Sequence, residues 1–213
     1  MKGRVVVVKE YGKPFEIEEY EVPEPEDGAV LLRMTQAGIC GSDLHTWRAD
    51  QSQEYLPIPP SGRVMGHEGT AKVEVLGKGV TTDTLGTPIE EGDRIVYSAV
   101  FPCYKCHLCL RGDTNWCANR AYPVAGVYPY FTGTYADFLY LPPRHPFFRV
   151  PDELPDEILG PVNCAMGTVT TGLQRAQLSD GQYVVIQGAG GLGVHATAMA
   201  KDMGADRVIV LDR

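Results

Sequence analysis

Four cysteines, Cys103, Cys106, Cys109 and Cys117, stand as C-x2-C-x2-C-x7-C within fifteen residues. Four thiolates this close in sequence can surround one tetrahedral ion, and a shell closed by four sulfurs leaves no position for a substrate. The reading is a structural zinc. An iron–sulfur cluster also takes four cysteines, but at other typical spacings. His107 directly after Cys103-x-x-Cys106 reproduces the c-type haem attachment pattern. The two further cysteines argue against haem, and His107 reads as a solvated loop residue. The plain alternative is four reduced surface thiols.

Two cysteines remain. Cys40 opens Cys40-Gly41-Ser42-Asp43-Leu44-His45, His67 follows 27 residues later in Gly66-His67-Glu68, and Cys164 lies in Asn163-Cys164-Ala165. A catalytic zinc needs three protein ligands and an open position, and two cysteines with one histidine is a recognised set. Spacing alone leaves the alternative open, because a lone cysteine is often a small buried hydrophobe and a lone histidine a satisfied core residue.

A third constellation is Gly188-Ala189-Gly190-Gly191-Leu192-Gly193, a G-x-G-x-x-G turn after the apolar run Tyr183 to Gln187, with Asp212 nineteen residues past Gly193. In this setting Gly188 permits the tight turn, Gly190 lets a pyrophosphate approach the backbone, and Gly193 allows helix and strand to pack closely. The N–H groups of Gly191, Leu192 and their neighbours at the helix start would meet the phosphates. Asp212 falls where a carboxylate accepts hydrogen bonds from the adenosine ribose, which favours NAD over NADP. Arg213 beside it could instead hold a 2′-phosphate. A glycine-rich turn with no ligand is the plain alternative.

The elements that must carry these residues fall into two kinds. Up to about Pro151 the chain reads as short strands between Pro and Gly turns, at residues 3–9, 29–36, 69–76, 93–98 and 134–141. Residues 156–177 read as helical, interrupted around Pro161 and Gly167. Then come a strand over 183–187, a helix with Leu192, Ala196, Met199 and Met203 on one face, a stop at Gly204, and a strand over 207–211. That order is a βαβ unit. The 213 residues carry 44% hydrophobic and 22% charged positions, enough for a real core. Lys and Arg number 19 against 27 Asp and Glu, a net charge of -8, which argues against a nucleic-acid partner. The apolar run Val5 to Val8 is far short of a signal core or a membrane span, so a cytoplasmic location without membrane association is expected.

The motifs in this order resemble the zinc-containing medium-chain dehydrogenase/reductase family of alcohol and polyol dehydrogenases. The residues carrying the likeness are Gly38-Ile39-Cys40-Gly41-Ser42-Asp43-Leu44-His45, Gly66-His67-Glu68-Gly69, Gly92-Asp93-Arg94-Ile95-Val96, the four-cysteine segment, Asn163-Cys164-Ala165 and the glycine turn. The resemblance implies an α/β plus β fold. Residues 1–155 would form a GroES-like β-barrel catalytic domain with a zinc lobe at 101–120, and residues 156–213 the start of a Rossmann-type doubly wound NAD-binding domain. It implies two zinc ions per chain, the catalytic one on Cys40, His67 and Cys164, with Glu68 approaching the metal during exchange. Ser42 would bond the substrate oxygen and pass its proton by way of the cofactor ribose toward His45. Asp43 would orient His67. Thr168 would touch the nicotinamide, with helix capping as its other reading.

Further expectations are an alcohol or carbonyl substrate and assembly as a homodimer or homotetramer. The family often places a cation directly after the first ligand, where this chain has Gly41. Rivals are a non-catalytic zinc- or dinucleotide-binding relative and a zinc-free quinone or enoyl reductase; the ligand cysteines argue against both. Tyr122, Tyr128, Tyr130, Phe131, Tyr135, Phe138 and Tyr140 would line an apolar cleft or pack a core, and Trp47 is a candidate pocket wall. Because only one helix and one strand follow the glycine turn, the expectation is an incomplete dinucleotide fold that is not a competent dehydrogenase alone.

Overall fold

Strand β1 (Lys2–Val8) pairs antiparallel with β2 (Glu16–Glu21) on one side and with the short β4 (Arg63–Val64) on the other. This computed structural model describes residues 1–50, 58–117, 119 and 130–213. They fall into two units, Met1–Gly160 and Pro161–Arg213.

The main sheet of the first unit has the order β7 (Phe138–Leu141), β3 (Val30–Gly38), β5 (Glu68–Leu76), β6 (Arg94–Tyr97), β8 (Phe147–Arg149), with every pair antiparallel. Successive side chains on a strand face opposite sides, and here both sides are covered. Val30, Leu32, Leu139 and Leu141 join one core with Val73 and Ile95. Leu31, Phe138 and Tyr140 join a second with Val5 and Val7. That accounts for β3 and β7 reading as unbroken apolar runs. The expected barrel takes the form of two open sheets joined by a bridge between Val5 and Ala136.

Several elements were not legible, β2 and one helix chief among them. β2 carries Glu16, Glu18, Glu19 and Glu21, a composition that disfavours strands. It forms because it is an edge strand, where the backbone ladder with β1 decides and the carboxylates stay in water, with Glu18 meeting Lys9 at 2.7 Å. Helix α1 (Gly41–Arg48) was also missed. The strand expected over 134–141 begins only at Phe138, because 134–135 turn aside to bond Met65 and Gly66.

The segment 156–177 resolves into 3-10 turns at Asp156–Ile158 and Gly160–Asn163, and then α3 (Ala165–Arg175). The break at Pro161 is present, whereas Gly167 sits inside α3 and interrupts nothing. In the second unit β9 (Tyr183–Gln187) and β10 (Arg207–Leu211) are parallel and α4 (Gly191–Asp202) connects them. Met199, Ala200 and Met203 pack with Leu173, Val184 and Val208. Leu192, expected on that face, is 52% exposed, because the packing of α4 begins only beyond its first turn. The helix ends in a Schellman motif: the N–H of Gly204 (φ +92°) bonds the Lys201 carbonyl and that of Ala205 the Ala200 carbonyl. Tyr183 and Val185 face away from the packed side and stand 62% and 61% exposed. Among the described residues no helix is long and apolar enough to cross a membrane.

Candidate metal centres and dinucleotide turn

The four lobe cysteines gather around one point. Their sulfurs lie within 4.8 Å of one another, with Cys106 to Cys109 at 3.5 Å, Cys106 to Cys117 at 3.9 Å and Cys103 to Cys109 at 4.0 Å. A tetrahedron with metal–sulfur bonds of ~2.3 Å has edges of about 3.8 Å, so the cluster fits a zinc ion without rearrangement. Backbone amides do the positioning. The short helix α2 (His107–Leu110) starts from Cys106, and the Cys103 N–H donates to Cys117 Sγ at 3.3 Å. The N–H groups of Lys105 and Cys106 pull the Cys103 thiol down to about 6, while burial and the neighbouring sulfurs push Cys109 up to about 12. His107 is exposed and stands outside the cluster.

The second cluster is built by strand register. β3 and β5 pair Gly38 with Glu68, so Cys40, two residues beyond Gly38, and His67, one residue before Glu68, emerge at the same end of the sheet. The donor atoms of Cys40, His67 and Glu68 lie within 4.8 Å of one another. A side chain at position 38 would crowd Glu68, since a Cβ there meets Glu68 Cβ at 3.2 Å and Oε2 at 3.3 Å.

Cys40 also caps α1, which brings Asp43 back over the strand end. Asp43 is only 7% exposed; Oδ2 accepts the Cys40 N–H at 3.0 Å and the Tyr135 hydroxyl at 2.9 Å, and Oδ1 lies 3.2 Å from His67 Nδ1. Burial pushes this carboxyl up, but the His67 ring and the two further donors outweigh it and hold it below the usual carboxylate range. With Nδ1–H committed to Asp43, Nε2 of His67 presents a lone pair. That atom lies 3.4 Å from Ser42 Oγ, beside a cavity of ≈ 150 Å³ lined by Ser42, Thr46, Arg63, Met65 and His67.

Other expected residues are placed as follows. His45 is exposed on α1, with Nδ1 3.1 Å from Asp50 Oδ2. Trp47 donates its indole N–H to the Lys13 carbonyl at 2.8 Å and leans on Phe15, pinning α1 to the β1–β2 turn. Gly41 is exposed and brings no cation. Cys164 is half-buried and precedes α3 in the second unit. Thr168 is exposed on α3 one turn on, its N–H bonded to the Cys164 carbonyl, so the helix cap is Cys164 rather than Thr168. Phe131, Phe138 and Tyr140 are core residues, while Tyr122 and Tyr128 lie outside the described residues. Tyr135 was read only as part of that aromatic stretch. The signal for its polar role is the pair Gly66 and Gly133 flanking a close backbone approach.

The glycine turn has the form that its spacing predicts. Gly188 adopts φ +98°, α4 begins at Gly191 with Gly190 as its cap, and a Cβ on Gly193 would stand 1.9 Å from the Gly188 carbonyl oxygen. Asp212 closes the turn, accepting the Ala189 N–H on one oxygen and the Arg213 N–H on the other. These two bonds hold its carboxyl below the usual range.

Residues 26–152 match the alcohol dehydrogenase GroES-like domain family. The 5-exo-hydroxycamphor dehydrogenase of Pseudomonas putida is 36% identical over 92% of this chain and 54% of its own length. An alcohol dehydrogenase structure from Thermotoga maritima superposes with a TM-score of 0.86 at 27% identity, covering 99% of this chain and 57% of that one. A zinc-binding dehydrogenase from Sinorhizobium meliloti bound to NADP superposes with a TM-score of 0.79 at 25% identity, over 100% of this chain and 57% of that one. The chain thus spans a little over half the length of these relatives. With the GroES-like match covering residues 26–152 and these relatives aligned along nearly the whole chain, the chain belongs to the alcohol dehydrogenase-type medium-chain dehydrogenase/reductase family.

Proposed function

We propose that the chain carries the metal-binding and pyrophosphate-binding parts of a zinc-dependent oxidoreductase that moves hydride between an alcohol or polyol and NAD. The observation that carries this reading is the convergence of Cys40, His67 and Glu68, whose donor atoms lie within 4.8 Å of one another, with the His67 ring held by Asp43 Oδ1 at 3.2 Å from Nδ1. Cys40, His67 and Cys164 are the proposed zinc ligands, with Glu68 next to the metal during exchange. Cys103, Cys106, Cys109 and Cys117 hold a second zinc that is purely structural.

A zinc ion held by Cys40, His67 and Cys164 would supply Lewis-acid polarisation of the substrate oxygen, and a bound NAD would supply the hydride acceptor. The protein residues do the rest. Ser42, exposed at the mouth of the cavity, offers a hydroxyl to the substrate oxygen. His45, exposed on α1 with Nδ1 3.1 Å from Asp50 Oδ2, receives the proton. Thr168 is proposed to contact the nicotinamide. Gly188, Gly190, Gly191, Leu192 and Gly193 offer backbone to the pyrophosphate.

Asp212 makes the cofactor NAD, because its charge opposes a 2′-phosphate. NADP is the second reading, favoured by the adjacent Arg213 and by the NADP-bound Sinorhizobium relative. The test has two parts. Elemental analysis of the chain should find two zinc ions, and a protein of the relatives' full length should form NADH from a panel of secondary alcohols and polyols. A single zinc, or a zinc-replete full-length protein inert to the whole panel with both cofactors, would overturn the proposal.

A further inference from the structure

We infer that Tyr135 is a positioning residue for the metal ligand His67, acting through Asp43, an inference that rests on the metal-centre reading above. Asp43 lies under the imidazole, and a carboxylate can orient a ring only if it is itself held. Oδ1 faces His67 Nδ1 at 3.2 Å, so Oδ2 must anchor the group. It has two donors, the Cys40 N–H at 3.0 Å and the Tyr135 hydroxyl at 2.9 Å. The first comes from the adjacent cap, on the same helix as Asp43. The second arrives from 92 residues away in sequence and fixes the carboxylate to a separate segment.

The backbone around Tyr135 is built to deliver this hydroxyl. The Tyr135 N–H donates to the Met65 carbonyl and the Thr134 N–H to the Gly66 carbonyl, both at 3.1 Å, which ties the segment to the two residues before His67. The approach is so close that a Cβ on Gly66 (φ +87°) would stand 2.2 Å from Thr134 Oγ1 and 2.6 Å from Tyr135 Cδ1. A Cβ on Gly133 would stand 2.4 Å from the Met65 carbonyl oxygen. The backbone that carries Tyr135 is thus bonded directly to the residues that precede His67. The ring of Tyr135 helps to line an apolar groove with Phe15, Ile17 and Ile39, so the hydroxyl end alone is committed to the site.

The test uses the 213-residue chain loaded with cobalt(II), whose visible bands distinguish a four-sulfur site from a mixed sulfur–nitrogen site. Wild type should bind two ions. Tyr135→Phe should weaken the mixed site roughly 10-fold or more, the loss usual for partners behind a metal-bound histidine, and shift its bands, while the four-sulfur bands stay unchanged. In an Asp43→Asn background the same substitution should have little further effect, which a merely structural tyrosine would not show. Wild type without a mixed site would overturn the metal-centre reading and this inference with it. A mixed site that Tyr135→Phe leaves unchanged, an equal loss in the Asp43→Asn background, or loss of the four-sulfur bands in Tyr135→Phe would each overturn the inference alone.

Discussion

Gly193 packs against Gly188 so closely that a Cβ on the former would stand 1.9 Å from the carbonyl oxygen of the latter. The obstacle is backbone and cannot swing aside, so Gly193→Ala must push α4 away from the end of β9. Overpacking of this kind costs about 1–3 kcal/mol, and it distorts the amides that would meet a pyrophosphate. The expected outcome is that limited proteolysis cuts the 161–213 unit faster and NADH binding, read by fluorescence, falls at least 10-fold. Unchanged binding would remove the turn from the cofactor site.

The two metal clusters should respond differently to loss of one sulfur. On the zinc reading proposed above, Cys103, Cys106, Cys109 and Cys117 would hold a structural ion, and structural zinc contributes folding free energy directly. Cys103→Ser should lower the zinc content by one and promote unfolding or aggregation. Cys40 lies just beyond the end of β3, a strand whose residues join two large apolar cores that do not include the cysteine. Cys40→Ser should also lose one zinc but shift the melting temperature of the first unit by only a few degrees. Equal destabilisation by both would contradict this division.

What the sequence made legible follows from how local each feature is. The cysteine lobe and the glycine turn are contiguous, so spacing and backbone requirements alone describe them. Cys40 and His67 are 27 residues apart, and what joins them is the antiparallel register of β3 with β5, Gly38 opposite Glu68. No local pattern encodes that register: donor types offered the set as one alternative, and the family resemblance singled it out. Tyr135 lay further out of reach. Its place in an aromatic stretch with Phe131 and Phe138 resembles core packing, and its polar partner lies in α1, an element with no apolar periodicity to announce it. Edge strand β2 escaped for the opposite reason, its four glutamates contradicting a strand that pairing with β1 and the packing of Tyr20 impose.

His145 gives the first unit a specific response to acid. It is almost fully buried, stacked on Phe101, with Nε2–H donated to the Ser98 carbonyl at 2.7 Å. Burial pulls its pKa from 6.5 to about 4. The unfolded chain therefore takes up a proton as the pH falls below about 6.5, while the folded protein resists until about 4. Stability is full above that window, declines across it and levels off beneath it, a loss of about 3 kcal/mol at 1.36 kcal/mol per pKa unit. Urea unfolding at pH 7.5 and pH 4.5 should show the loss in wild type, and His145→Gln should shrink the difference between the two pH values. An unaltered difference in the variant would assign the acid response to other groups, the lobe thiolates first.

Asp212 is the last determinant to test, and its geometry sets the expected direction. One carboxylate oxygen holds the Ala189 N–H, so the side chain is fixed against the glycine turn, and bonding to the turn and to Arg213 keeps it ionised at neutral pH. A 2′-phosphate brought to this position meets a fixed negative charge, whereas a ribose with free hydroxyls meets a hydrogen-bond acceptor. Asp212→Ser removes the charge, keeps a small polar group and leaves Arg213 free to pair with a phosphate. NADH binding should weaken about 10-fold, as loss of one charged hydrogen bond of roughly 1.5 kcal/mol implies, and NADPH binding should strengthen, so that the preference narrows or reverses. Fluorescence titration with both cofactors measures this directly. If wild type already binds NADPH more tightly, or if Asp212→Ser leaves the ratio unchanged, Arg213 rather than Asp212 governs the choice of cofactor.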